Sequence, residues 1–400
     1  MATALVSNEL LRRYLDIDRR PDALAIGMML FGGIAAAIGL AWVFYDLWRF
    51  GHAAFNTSSD VAWGAPIAFY LFFLLSSSGL SILASADSVF GVNAFHPIAK
   101  RCVFLAIVTL VSGFTILALE IGHPFRMLWA LPLGLQWHSP MWWMGVFYSL
   151  DLALLIVKFW RMHVGDWHSR FMHLVSIASF VVCILAPGTL GLVFGMMAMR
   201  PAWYSPVMPM YFILSGFMSA MAFITFFTAF EPKASTPPAL RHLHEAVLPR
   251  LFFLALLAVA GMRFGQILTT LWSNYEGMEA NWHVLSSDSF RFELLFGLVL
   301  PIALLSTNAL RRSALVRFAA ASLAMAGIFL ARLNLLIVGQ VVPLFKGYWA
   351  DYVDYWPSTT EWMLIPAGFG IFCFAYGAGH WLLRLGDDPG PEPAHDATGR

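Results

Sequence analysis

The chain has 400 residues, of which 60% are hydrophobic and only 12% charged, with a formal net charge of +1. Soluble domains carry about 25% charged residues, so the composition excludes an ordinary soluble enzyme, and the near-neutral charge offers nucleic acid no basic surface. Apolar stretches able to cross a hydrocarbon core of about 30 Å recur along the whole sequence, while the short alternating segments of a membrane barrel do not occur.

The predicted fold is an all-α integral membrane protein. Residues 1–22, "MATALVSNELLRRYLDIDRRPD", are polar and amphipathic and lack the apolar core and small-residue cleavage site of a signal peptide. They are expected to form a cytoplasmic arm. Ten spans are predicted, at 24–44, 61–84, 100–121, 140–158, 171–194, 206–230, 248–272, 289–308, 317–343 and 362–384, within a membrane domain of residues 23–385. The connection "EPKASTPPALRHLHEAVLPR" marks a seam between two halves, and the Pro-, Gly- and acid-rich tail 386–400 is expected to be disordered. No internal sequence repeat is evident.

Of the 24 basic residues, seventeen fall in the N-terminal arm, the even-numbered connections and the tail. The odd-numbered connections carry one each (Arg49, Arg126, Arg200, Arg291, Lys346), and Arg263 and Arg332 lie inside spans. By the positive-inside rule both termini are cytoplasmic and the odd-numbered loops external. Of 16 tryptophans, only Trp160, Trp167 and Trp381 lie towards the cytoplasm. An interfacial belt would be more even, so the external excess reads either as long outer loops lying on the membrane or as a docking surface for a partner protein.

The third span ends in "ALEIGHPFR", which crowds Glu120, His123 and Arg126 at its outer end. The following "LPLGLQWHSPMWW" returns Gln136, Trp137, His138, Trp142 and Trp143 to the same level. Aromatic walls, a few hydrogen-bonding groups and access from lipid suit a quinone, whose flat ring needs donors at its carbonyls and a carrier for two protons. Asp151 lies about 15 Å further in, at the rise of a helix, and is placed to pass protons. Arg263 and Arg332 sit at similar depth, so a buried ion pair holding the helices is the structural alternative. Pro187–Gly188 predicts a kink or break in span five. Arg332, Asn334 and Gln340 form a second polar group on span nine, and Ser358 with Glu361 has capping-box spacing at the start of span ten.

Cys102, Cys183 and Cys373 are far apart and read as core residues, with no cluster-binding spacing. No predicted span has a histidine near its middle, so neither haem nor an iron–sulfur cluster is expected in this chain. Electrons would then need a redox partner close to the quinone.

The stretches "EIGHPFRMLWALPLGLQWHSPMWWMGVFYSLD" and "ARLNLLIVGQVVPLF…YWPSTTEW" resemble the NrfD/PsrC (polysulfide reductase NrfD) family of membrane subunits over roughly residues 20–385. Within it the chain looks most like the ten-span branch found with sulfite reductase and with periplasmic uptake hydrogenase. The resemblance implies two four-helix bundles, no bound prosthetic group, exchangeable menaquinone or ubiquinone on the periplasmic side, and a docked ferredoxin-like iron–sulfur subunit. It also implies quinone or proton roles for His123 and Asp151, and matches Arg332 to a basic residue of the late "R-x-N" helix. Glu120 stands where other members often have a different acid. The expected function is electron exchange between the quinone pool and that partner in a multi-subunit respiratory complex of the bacterial inner membrane, with proton translocation as a possible coupled process. The competing class is a proton-coupled secondary transporter with a midplane Asp151/Arg263/Arg332 site. The absence of a matching helix interruption in the second half speaks against it. A passive anchor fits the docking surface but leaves the buried charges unexplained.

The charge bias makes the topology testable. Reporter fusions after residue 235 and after residue 385 are expected to be active on the cytoplasmic side. Periplasmic activity at either would mean a miscounted span.

Overall fold

The computed structural model describes residues 15, 20–121, 125, 129, 133–231, 237–272, 279–341, 352–353, 355–383 and 385, and among these all regular structure is helical. Ten membrane-scale elements follow one another: α1 (Ala23–Phe50), α2 (Ala65–Ser88), α3 (His96–Glu120), α4 (Pro140–Val164), α5 (Arg170–Gly195), α6 (Met208–Thr228), α7 (Pro238–Trp272), the composite α8, α9 (Ala314–Val338) and α10 (Thr359–Leu382). Nine described helices are long and apolar enough to cross a membrane. The eighth, α8, is pieced from Asp288–Leu294, a π turn at Leu295–Val299 and Leu300–Leu304. It is shorter than the roughly 20 residues of a straight span.

Local chemistry sets the helix ends. Asp22 accepts from the Ala25 amide at 2.8 Å and caps α1, and Ser169 accepts from Met172 at 3.1 Å to cap α5. Gly165, at φ +90, closes α4 in a left-handed turn that few other residues adopt. The capping box expected at α10 forms: Ser358 Oγ accepts from the Glu361 amide at 3.2 Å, and the Glu361 carboxylate accepts from the Ser358 amide at 2.6 Å.

Helices α2–α5 pack as one four-helix bundle and α6–α9 as another, while α1 and α10 lie together against α3. In water an apolar helix surface would drive association; in lipid, close packing and internal hydrogen bonds do that work. The seam between the bundles is α2 against α6. Gly79 and Gly216 meet there with no room for a side chain on either, beside a Ser76–Ser219 hydroxyl bond of 2.5 Å. A ladder of phenylalanines including Phe69, Phe72, Phe73, Phe223, Phe369 and Phe372 fills the space between α2, α6 and α10. The outward face of α1 is the opposite case: Leu30, Phe31, Ile34 and Ile38 are exposed, as lipid contact requires.

Two expectations change. The break predicted at Pro187–Gly188 does not occur, and α5 runs uninterrupted to Gly195. Thr189 Oγ1 donates to the Leu185 and Ala186 carbonyls at 2.9 Å, and Gly191 and Gly195 press the end of α5 against residues 205–209, so hydroxyl bonding and packing hold the turn that the proline weakens. Among the described residues, π turns interrupt α8 at Leu295–Val299 and the first part of α7 at Leu243–Val247. The interrupted α8 still counts as a crossing, because His380 Nε2 lies 3.1 Å from Asp22 Oδ2. That contact puts the start of α1 and the end of α10 at one face, which needs an even number of crossings.

The same face carries a clamp across the seam. Arg101 at the foot of α3 pairs with Glu231, just beyond α6, and His244 Nδ1 at the foot of α7 reaches the other carboxylate oxygen at 3.1 Å. Burial opposes the charged form of Glu231, but the His244 hydrogen bond and the Arg101 charge prevail and hold its carboxyl down at about 2. Glu231→Gln should therefore cost about 3 kcal/mol of stability at neutral pH. A depressed folded-state pKa contributes fully above the unfolded value near 4 and fades as pH falls towards 2. The gap in melting temperature between wild type and variant should shrink below about pH 4. A gap independent of pH would contradict the clamp.

Candidate functional site

In the first bundle, the inner face of α4 presents Tyr148, Asp151, Leu155, Lys158 and Met162, all buried at helical spacing. Ser78 on α2 lies within reach of Tyr148, and Cys183 on α5 lies within electrostatic range of Asp151 and Lys158; Ser77, Ser81 and Ser85 on α2 and Ser176 and Ser179 on α5 are buried in the same bundle. Ser81 and Ser179 share a hydroxyl bond of 3.3 Å. Asp151 and Lys158 are fully buried, and among the described residues neither the Asp151 oxygens nor Lys158 Nζ has a hydrogen-bond partner. Seven residues separate them, or about 10 Å along the helix: near enough to sense each other's charge, too far to pair. A carboxyl and an amine in this state are costly unless a proton or water serves them. The column thus sets a phenol, a carboxyl and an amine on one buried helix face, in a bundle that also buries several hydroxyls.

At the end of this bundle remote from the Arg101–Glu231 clamp, Glu120 is buried, and its backbone carbonyl accepts from His52 Nε2 at 2.8 Å. Glu361 lies within electrostatic range of it. Glu361 is itself fully satisfied: Tyr355 Oη donates to it at 2.8 Å, and the Asn56 amide donates at 3.2 Å besides that of Ser358. Tyr355 also accepts from the Ala65 amide at 2.7 Å, and burial followed by the Glu361 charge keeps its phenol proton on. Trp137, Trp142 and Trp143 gather with ring centroids 4.9–6.1 Å apart, and Trp143 Nε1 donates to the Trp137 carbonyl. Trp142 is buried, while Gln136, Trp137 and His138 are exposed beside it. His123 and Arg126 lie outside the described residues.

The remaining predicted site residues belong elsewhere. Gln340 grips the backbone of Trp63 on both sides, Oε1 accepting from its amide and Nε2 donating to its carbonyl, each at 3.0 Å, with a further bond to Leu336. These bonds hold α9 to the entry of α2. Arg332 and Asn334 sit in the second bundle. Arg332 is fully buried, donates to Ser215 Oγ at 2.6 Å and lies over the rings of Tyr211 and Phe212. Arg263 pairs with Glu293 and donates to Gln266 at 3.0 Å, while Asn334 Nδ2 donates to the other Glu293 oxygen at 2.7 Å and Asn334 Oδ1 accepts from Ser289 at 2.8 Å. No hydrogen bond or ion pair among the described residues joins Asp151 to Arg263 or Arg332. The midplane triad expected of a transporter is therefore divided between the bundles. Tyr148 lies within electrostatic range of both Asp151 and Arg332.

Sequence reasoning missed Glu293, Lys158, Tyr148 and His52. Glu293 carries a signal, a lone acid inside a predicted span. Lys158 closes the predicted fourth span and so reads as part of the cytoplasmic loop.

The family described as Polysulphide reductase, NrfD is matched by residues 53–344. The chain is 23% identical over 362 residues to the C subunit of selenate reductase from Mesobacillus selenatarsenatis, covering 78% of this chain and 84% of that protein. It is 24% identical over 342 residues to the Hdr-like menaquinol oxidoreductase integral membrane subunit of Archaeoglobus fulgidus, covering 80% and 83%.

The Arg263–Glu293 pair yields a stability test. Glu293→Gln leaves a buried guanidinium without its counter-charge and should cost about 3–5 kcal/mol, read as a lower melting temperature and less monodisperse protein in detergent. Replacing both residues, Arg263→Met with Glu293→Leu, should recover most of that loss. A single variant as stable as wild type would remove the pair from the account of the fold.

Proposed function

The chain belongs to the NrfD polysulphide reductase family, and from that premise we propose that it exchanges two electrons between the membrane quinone pool and an iron–sulfur subunit docked on its outer face. The observation that carries this reading is the buried file Tyr148–Asp151–Lys158, whose carboxylate and amine are engaged by no other described side chain. Oxidising a quinol releases two protons with its two electrons, and reducing a quinone takes up two, so the protein must supply groups that hold and move protons near the ring. A buried column with an uncommitted acid answers that need. A relative whose name identifies it as a menaquinol oxidoreductase subunit supports the same chemistry.

In this proposal the ring, of menaquinone or ubiquinone, binds at the outer rim of the first bundle. His123 and Arg126 address its carbonyls, Gln136 and His138 add polar contacts, and Trp137 and Trp142 form the wall. Glu120 and Asp151 carry protons from the rim inwards. The partner is a periplasmic ferredoxin-like subunit, and the exposed Trp48, Trp137 and Trp356 suit its docking. The complex lies in the bacterial inner membrane with both termini cytoplasmic, which agrees with the two chain ends sharing a face. It is most like the sulfite-reductase-associated membrane complex, and proton translocation accompanies the electron transfer.

Two substitutions test the assignment in the assembled complex. Asp151→Asn keeps the shape of the side chain but removes its exchangeable proton, and should lower quinol-dependent turnover about 100-fold. His123→Ala should lower it about tenfold with assembly intact. Unchanged turnover and proton release in both would refute the site. Loss of folded protein without loss of specific activity would make Asp151 a structural residue instead.

A further inference from the structure

The second bundle contains a feature that the proposed site does not use. A cavity of about 440 Å³ opens in its outer half, between α6, α7, the residues before α8 and the end of α9. That volume lies within the usual range for a small-molecule site, roughly 300–1,000 Å³. Its walls are mainly apolar, with Met208, Met262 and Phe290 among them, and its polar end is formed by Arg263, Gln266 and Asn334.

The hydrogen bonding at that end selects the ligand. Arg263 is neutralised by Glu293, and Asn334 is engaged at both ends of its amide by Glu293 and Ser289. Arg263 donates to Gln266 Oε1, which fixes the orientation of that amide and leaves Gln266 Nε2 donating to no other described residue. An anion would meet the Glu293 carboxylate beside a guanidinium already neutralised. A neutral carbonyl needs only one donor, and Gln266 offers it. The lipid side of the cavity is open: Gly265 lines it with free space where a side chain would stand, and its neighbour Phe264 is exposed. A long apolar tail has a lateral exit there.

Behind the polar end, a second cavity of about 10 Å³ is bounded by Arg263, Glu293 and Arg332, room for about one water. Fully buried Arg332 has Nε and Nη1 without a hydrogen-bond partner among the described residues. Tyr148 of the first bundle lies within electrostatic range of Arg332.

We propose that the outer cavity of the second bundle is a second quinone-binding site, taking a neutral carbonyl-bearing ring against Gln266 Nε2 with its isoprenoid tail leaving past Gly265. Its ligand class rests on the function proposed above; its position does not.

A photoreactive azido-quinone applied to the complex in lipid nanodiscs, followed by peptide mapping, tests it. Label is expected on peptides of α7 and of the end of α9, in addition to those of residues 120–151. Gln266→Leu should reduce the α7 and α9 label about fivefold, the loss expected of one neutral hydrogen bond, and leave the other label unchanged. On the wild-type protein, which needs no variant to fold, unlabelled quinone should displace the α7 and α9 label and excess phospholipid should not. Label confined to residues 120–151, or displaced from α7 by phospholipid alone, would overturn the second site and leave the functional reading standing. Label on α7 and α9 alone would uphold the second site and overturn the placement at the rim. Label at neither would overturn both.

Discussion

A charge inside a membrane must find its answer within the same chain, and the Arg263–Glu293 pair is where this constraint is met most fully. The pair joins α7 to α8, and Asn334 extends it to α9, so three helices of the second bundle are tied by one polar knot. The knot also suits the shape of α8. That helix is short and carries a π turn, which re-aims side chains along it and frees backbone from regular pairing. Glu293 lies just before that turn.

The two bundles handle polarity in opposite ways. In the second, ionic groups are paired and amides are exchanged between neighbours, with Arg332 the partial exception. In the first, Asp151 and Lys158 stand on one helix face, separated by two turns, with no described hydrogen-bond partner and with buried hydroxyls in the same bundle. Paired charges fix geometry and resist change. Unpaired ones are unstable in that state and are suited to gaining and losing protons. The unpaired groups of the first bundle suit proton chemistry, and the paired groups of the second fix its geometry.

Much of this was legible from the sequence. Nine of the ten spans declare themselves by length and apolarity, because a hydrocarbon core admits few alternatives. The Ser358–Glu361 cap was readable because its partners are three residues apart. What escaped was non-local. Gln340 looked like a ligand donor, but its partner is the backbone of Trp63, 277 residues away. Glu293 gained its role from Arg263, 30 residues earlier on a different helix. Pro187 suggested a broken helix, but neighbouring packing and a threonine hydroxyl overrode the local preference. Sequence spacing reports contacts within a helix; it is silent about which helix stands opposite.

The glycine seam between α2 and α6 has a consequence for motion. Where Gly79 meets Gly216 the backbones are in direct contact, with no flexible side chains or lipid between them to act as a bearing. Alternating access requires one half of a protein to rock against the other and expose a central site first to one side and then to the other. A joint this close, clamped at one end by Arg101, Glu231 and His244, resists such rocking. The seam therefore favours a frame that stays still around whatever site it carries over one that turns around its cargo.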